Sequence, residues 1–109
     1  MLLSRESERD AAANEALVLS PAAVDDLDRI YDYTEEKWGQ GQAEDYIVAL
    51  RDDCEALAAQ TKRGRKIIGL RSGYTALAFR SHFVIYAETE KVLTVIRILH
   101  RRMNIAAHL

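Results

Sequence analysis

Arg97, His100, Arg101 and Arg102 lie close together near the end of the chain, and Arg80, His82 and Tyr86 precede them in a stretch of similar character. An RNase needs a general base, a general acid and a cation for the charge that develops on phosphate, and these residue types supply all three. Strand geometry counts against their assembly. In an extended segment Arg97 shares a face with Leu93, Val95 and Leu99, whereas His100 falls on the face of Ile96 and Ile98, so the pair points apart. Other chemistries leave no signature. There is no GxxxxGK followed by Ser or Thr, no GxGxxG, no HExxH and no CxxC, and His82, His100 and His108 lack metal-ligand spacing. No cofactor and no metal is expected.

The elements that must position these groups can be read from periodicity. Glu15 to Leu19 is a short apolar run and a candidate first strand. Ser20-Pro21 reads as a helix start, because a Ser oxygen can accept from an orphan backbone N–H and Pro suits the first helical position. Asp25, Asp26 and Asp28 lie near the positive end of that helix. Val24, Leu27, Ile30, Tyr31 and Trp38 follow at helical spacing, and Gly39-Gln40-Gly41 ends the helix, with Gly39 as a left-handed cap. A second stripe runs through Ala43, Tyr46, Ile47, Leu50, Cys54, Leu57 and Ala58, and the short linker makes the two helices antiparallel neighbours. Thr61 to Lys66 is a basic loop. Tyr74 to Phe79, His82 to Ala87 and Val92 to Leu99 read as three consecutive antiparallel strands, the last nearly continuous in apolar character and therefore central. A short helix-compatible tail closes the chain. The order is β-αα-βββ, an α+β domain over residues 16–109, with residues 1–15 as an extension. Leu27, Tyr31, Ile47, Leu50, Leu57, Val84, Val95 and Ile98 are the expected core.

The chain has 109 residues and a net charge of −2, and that near-balance hides a division. Residues 1–60 carry 5 basic and 15 acidic side chains, a net −10, whereas residues 61–109 carry 10 basic and 2 acidic, a net +8. Two readings stand: the halves present solvated faces that attract each other, or the basic half meets an acidic partner, protein or nucleic acid. Cys54 is the single cysteine and sits in an apolar stripe, which fits a core residue in a reducing cytoplasm. No apolar run is long enough to span a bilayer, so no membrane partner is expected. Trp38 beside Gly39 is either a plug closing the hairpin or an exposed anchor for a partner.

Leu19-Ser-Pro-Ala-Ala23, the Asp28-x-x-Tyr31-x-Tyr33 stretch leading to Trp38-Gly39, Ala43-x-x-Tyr46-x-x-x-Leu50, and Ile96-Arg-Ile-Leu-His-Arg-Arg-Met103 followed by Ala106-x-His108-Leu109 together resemble ParE-type toxins of the RelE/ParE superfamily. The resemblance implies a small antiparallel sheet packed against a helical hairpin, and the toxin half of a type II toxin–antitoxin module. It implies binding and inhibition of DNA gyrase, with neutralisation by a ParD-like antitoxin through which DNA is reached indirectly. The RelE branch of the superfamily instead cleaves mRNA on the ribosome, and that is the alternative. An acidic antitoxin tail would be drawn to Arg71, Arg80, Arg97, Arg101 and Arg102. The tail from His100, with Met103, Ile105 and Leu109, and the hairpin end at Trp38 are the candidate target contacts. No catalytic residue is assigned.

Overall fold

Ser20 starts the helical hairpin as its chemistry suggests. Its Oγ accepts from the N–H of Ala23 at 3.0 Å, and Pro21 occupies the first helical position, where its missing donor costs nothing. The same Oγ donates to the carbonyl of Ile96 at 2.6 Å, which pins the helix start to a strand far away in sequence. The computed structural model describes Asn14 and residues 16–109, so most of the expected extension lies outside the described residues.

Strand β1 (Ala16–Leu19) leads into helix α1 (Pro21–Trp38) and helix α2 (Gln40–Ala58), followed by β2 (Thr75–Phe79), β3 (His82–Glu88), β4 (Val92–His100) and a 3-10 turn at Ile105–His108. Gly39 alone separates the helices, at φ +94°, a conformation open to glycine at little cost. Gln40 and Gly41, expected in the break, already belong to α2.

The strands form one sheet in the order β1-β4-β3-β2. The run from Val92 is central, as its unbroken apolar character requires. The sheet is mixed rather than antiparallel throughout, because β1 pairs with β4 in parallel, Ala16 opposite Val92 and Leu19 opposite Val95. Strand composition carries no signal for the direction in which a distant strand docks.

A β-bulge changes the faces of β4. Ile85 pairs with Arg97 while Tyr86 pairs with Val95, so Ile96 is the extra residue and the alternation reverses there. Leu93, Val95 and Ile98 consequently join one core, with Val84, Phe79, Ile30, Leu50, Cys54 and Leu57 beneath the hairpin. Leu99, expected beside Leu93 and Val95, instead joins Ala76, Ile85 and Ile105 on the opposite face. That second core is covered by the 61–74 segment through Ile67, Leu70 and Tyr74, and by the C-terminal turn. Of the expected core, Leu50, Leu57, Val84, Val95 and Ile98 are buried, while Leu27, Tyr31 and Ile47 keep partial exposure at the hairpin margin. Burial pushes the Cys54 thiol up to about 11, and the neighbouring Asp53 and Glu55 add to the effect, as suits a packing residue.

Candidate functional site

The second half of α1, the first turns of α2, and the adjoining ends of β3 and β4 leave an open hollow of about 670 Å³ between them. Ile30, Tyr33, Thr34 and Trp38 line it from α1, and Gln42 and Tyr46 from α2. Arg29 of α1, together with Ser81, His82, His100 and Met103, completes it. Helical spacing puts Ile30, Thr34 and Trp38 on one side of α1. Thr34 is buried without cost, because its hydroxyl donates to the Ile30 carbonyl at 2.7 Å.

The floor is aromatic. The Tyr46 hydroxyl and His82 Nδ1 share a hydrogen bond of 2.8 Å, and the His82 ring meets His100 edge-on with centroids 5.3 Å apart. Burial, and then the adjacent His100, lower the pKa of His82 to about 4, so its imidazole is neutral near pH 7. Burial raises the Tyr46 phenol in turn. At the margin the Arg80 guanidinium lies over the Tyr46 and Phe79 rings, 5.3 and 5.0 Å from their centroids.

Of the residues assigned to a target, Trp38, His100 and Met103 meet at this hollow, although they come from different parts of the chain. Trp38 is 68% exposed, so it does not plug the hairpin. Ile105 and Leu109 are elsewhere. Ile105 is only 8% exposed and belongs to the core on the opposite face of the sheet, against which Leu109 also packs. The tail therefore closes that second core and does not lie on the hairpin, and Ile105 is not available as an anchor.

The cations divide as well. Arg97 is not free for an acidic partner: its Nε and Nη2 each donate to the Asp26 carboxylate at 2.8 Å, and its Nη1 donates to the His108 carbonyl at 3.0 Å. Asp26 also accepts from the Ile98 N–H at 2.9 Å, and is itself buried. This fork raises the Arg97 pKa, chiefly through the hydrogen bonds to Asp26. Arg101 lies over Phe83 on the far side of the sheet, and Arg71 and Arg102 are exposed. Arg97 and His100 thus face different surroundings, whereas His82 and His100 meet in the hollow with Arg80 at its margin. Among the described residues no group of three His, Cys, Asp or Glu side chains is placed to hold a metal ion, and no helix is long and apolar enough to cross a membrane. The sequence reading missed Asp26, which looked like one of several carboxylates at a helix start. It also placed Tyr46 only as a stripe residue.

Residues 17–105 match the family model described as ParE toxin of type II toxin-antitoxin system, parDE. The chain belongs to the ParE toxin family. It is 39% identical over 93 residues to Toxin ParE1 of Mycobacterium tuberculosis (strain ATCC 25618 / H37Rv), a match spanning 84% of this chain and 95% of that toxin. It is 42% identical over 91 residues to Toxin ParE1 of Caulobacter vibrioides (strain ATCC 19089 / CIP 103742 / CB 15), spanning 84% and 94%. A solved structure described as the chromosomal ParDE TA system from P. aeruginosa superposes with a TM-score of 0.70. It covers 83% of this chain and 97% of its own at 20% identity, a likeness of fold. The family match takes in every residue lining the hollow, from Arg29 to Met103. Within this ParE-family fold, the α+β architecture of two helices on a four-stranded sheet is that expected from the motifs, with β1 added in parallel.

Proposed function

We propose that this ParE-family chain is neutralised by a ParD-like antitoxin, and that it acts by binding and inhibiting DNA gyrase rather than by cutting RNA. The observation that carries the reading is the convergence of Trp38, His100 and Met103 on one hollow with an aromatic floor, beside an exposed Tyr33. Large, exposed aromatic and thioether side chains around a concavity suit a protein partner, which buries them on docking. Of the cations an RNase could use, Arg97 is held by Asp26 and Arg80 is stacked over Tyr46 and Phe79, which favours binding over phosphate chemistry. The names of the relatives support the toxin role, and the description of the structural neighbour supports an antitoxin partner. In this reading the antitoxin reaches DNA and the toxin reaches gyrase.

The test is a gyrase supercoiling reaction titrated with purified protein, with and without its candidate antitoxin. Inhibition relieved by the antitoxin is expected, and Trp38→Ala should weaken inhibition at least tenfold while leaving the melting temperature within a few degrees. Ribosome-positioned mRNA cuts that disappear in His100→Ala would establish the RelE-branch alternative instead.

A further inference from the structure

The face of the sheet opposite the hairpin has a feature that the gyrase reading does not use, and its Arg71, Arg101 and Arg102 are among the cations expected to draw an acidic antitoxin tail. Its covering segment forms a tight turn from Ile67 to Leu70, in which the Leu70 N–H donates to the Ile67 carbonyl and Gly69 sits at φ +95°. Ile67 and Leu70 pack inward on the second core, and Ile68, at the apex between them, is 99% exposed. Arg63, Arg65, Lys66 and Arg71 flank this apex in sequence, and Arg101 and Arg102 follow the end of β4, with Arg101 over Phe83 of the same core. All six are exposed. The ion pairs among the described residues involve Arg29, Arg51, Lys62 and Arg97, and none of these six, although Arg63 donates to Gln60 Oε1 and Lys66 to the Tyr74 carbonyl.

We propose that this face contacts duplex DNA directly, its cations on the phosphate backbone and Ile68 entering the minor groove. The relief of the surface favours DNA over an acidic peptide. A tail that folds on binding gains from an apolar groove as well as from charge, and here the apolar residues other than Ile68 pack on the second core. A protruding aliphatic side chain among cations suits a grooved, anionic partner, into which such side chains wedge between base steps. Unstacked single strands are less well served, since Tyr74 and Phe83, the aromatic residues packed on this side, are both partly buried and engaged with the second core. The acidic hairpin lies on the other side of the sheet, so the charge separation turns the basic face toward the duplex.

The experiment is fluorescence anisotropy of the full chain with a 20-base-pair duplex over a range of salt concentrations. Binding is expected to weaken steeply with salt, by about 0.9 in log–log slope per phosphate contacted. Arg63→Gln combined with Arg71→Gln should reduce that slope by about two contacts. Ile68→Ser should weaken binding three- to tenfold and leave the slope unchanged. Since Ile68 is fully exposed, its loss leaves the fold intact, and unchanged circular dichroism and melting would verify that. Absence of duplex binding at low salt would overturn the proposal, as would equal or tighter binding of poly-glutamate or of anionic vesicles. Affinity indifferent to Ile68→Ser would overturn the groove contact. None of these outcomes depends on gyrase, so the proposal and the toxin reading fail separately.

Discussion

Asp26 does more than its position in the sequence suggests. β1 ends at Leu19, and beyond it the outer edge of β4 has no strand partner among the described residues; the Asp26 carboxylate takes that place for the Ile98 N–H while forking with Arg97. Removing one partner of such a pair leaves the other without compensation. Asp26→Ala should therefore cost about 3 kcal/mol in denaturant unfolding, and Arg97→Met added to it should cost little more, because the orphaned cation goes with it. A strictly additive double mutant would show that the two side chains act independently. His82 gives a second expectation. Its folded pKa of about 4 lies below the usual 6.5, so the unfolded chain binds more protons between those values. Stability is then fully present above about pH 6.5 and declines as the pH falls toward 4. Thermal melting from pH 7 to 4.5 should show this decline, and His82→Gln should flatten it. An unchanged pH profile in that variant would place the titrating group elsewhere.

At the scale of elements, the C-terminal turn is a structural piece of the sheet's second face. Ile105 packs with Ala76, Ile85 and Leu99, and the His108 carbonyl holds Arg97. Ile105→Ala should cost about 2 to 5 kcal/mol, and removal of residues 104–109 should destabilise the domain more than it affects gyrase binding of the molecules that remain folded. A truncated protein of wild-type stability that no longer inhibits gyrase would return the anchor role to the tail. The start of α1 is tied down in a comparable way. Ser20→Ala loses both the cap and the bond to Ile96, a cost of about 1 to 2 kcal/mol by chemical denaturation. This double tie was half legible: Ser-Pro announces a helix start, but nothing local in Ile96 announces a carbonyl waiting for a hydroxyl.

For the whole molecule, the opposition of the two charge classes is spatial as well as sequential. Residues 21–58, the hairpin layer, carry 3 basic and 11 acidic side chains, a net −8, against +8 over residues 61–109. The layers neutralise each other little: the ion pairs across them among the described residues are Lys62 with Asp53 and Arg97 with Asp26. Most of the charge is left to act on partners. Association with an acidic antitoxin should therefore be fast at low salt and slow as salt rises, with dissociation changing less, in stopped-flow mixing. An on-rate independent of salt would show that the charge separation plays no part in the encounter.

Periodicity and end signals in the sequence were enough for the α+β class and for the order β-αα-βββ. They also placed the Ser20 cap, the break at Gly39, the burial of Leu50, Leu57 and Cys54, and the central position of β4. Each is a local or repeating property, in which every residue of an element casts the same vote. The motifs around Trp38 and from Ile96 to Leu109 carried the family as well. Tertiary structure decided the rest. Whether Leu99 faces the hairpin depends on one extra residue at Ile96, and a single bulge reverses every side chain beyond it. Whether Arg97 is free depends on Asp26, 71 positions away, and whether Ile105 is an anchor depends on which face of the sheet the tail reaches. The hollow that gathers Trp38, Tyr46, His82, His100 and Met103 exists only once the hairpin has settled on the sheet. Such contacts are single, long-range and sterically chosen, so no spacing along the chain records them.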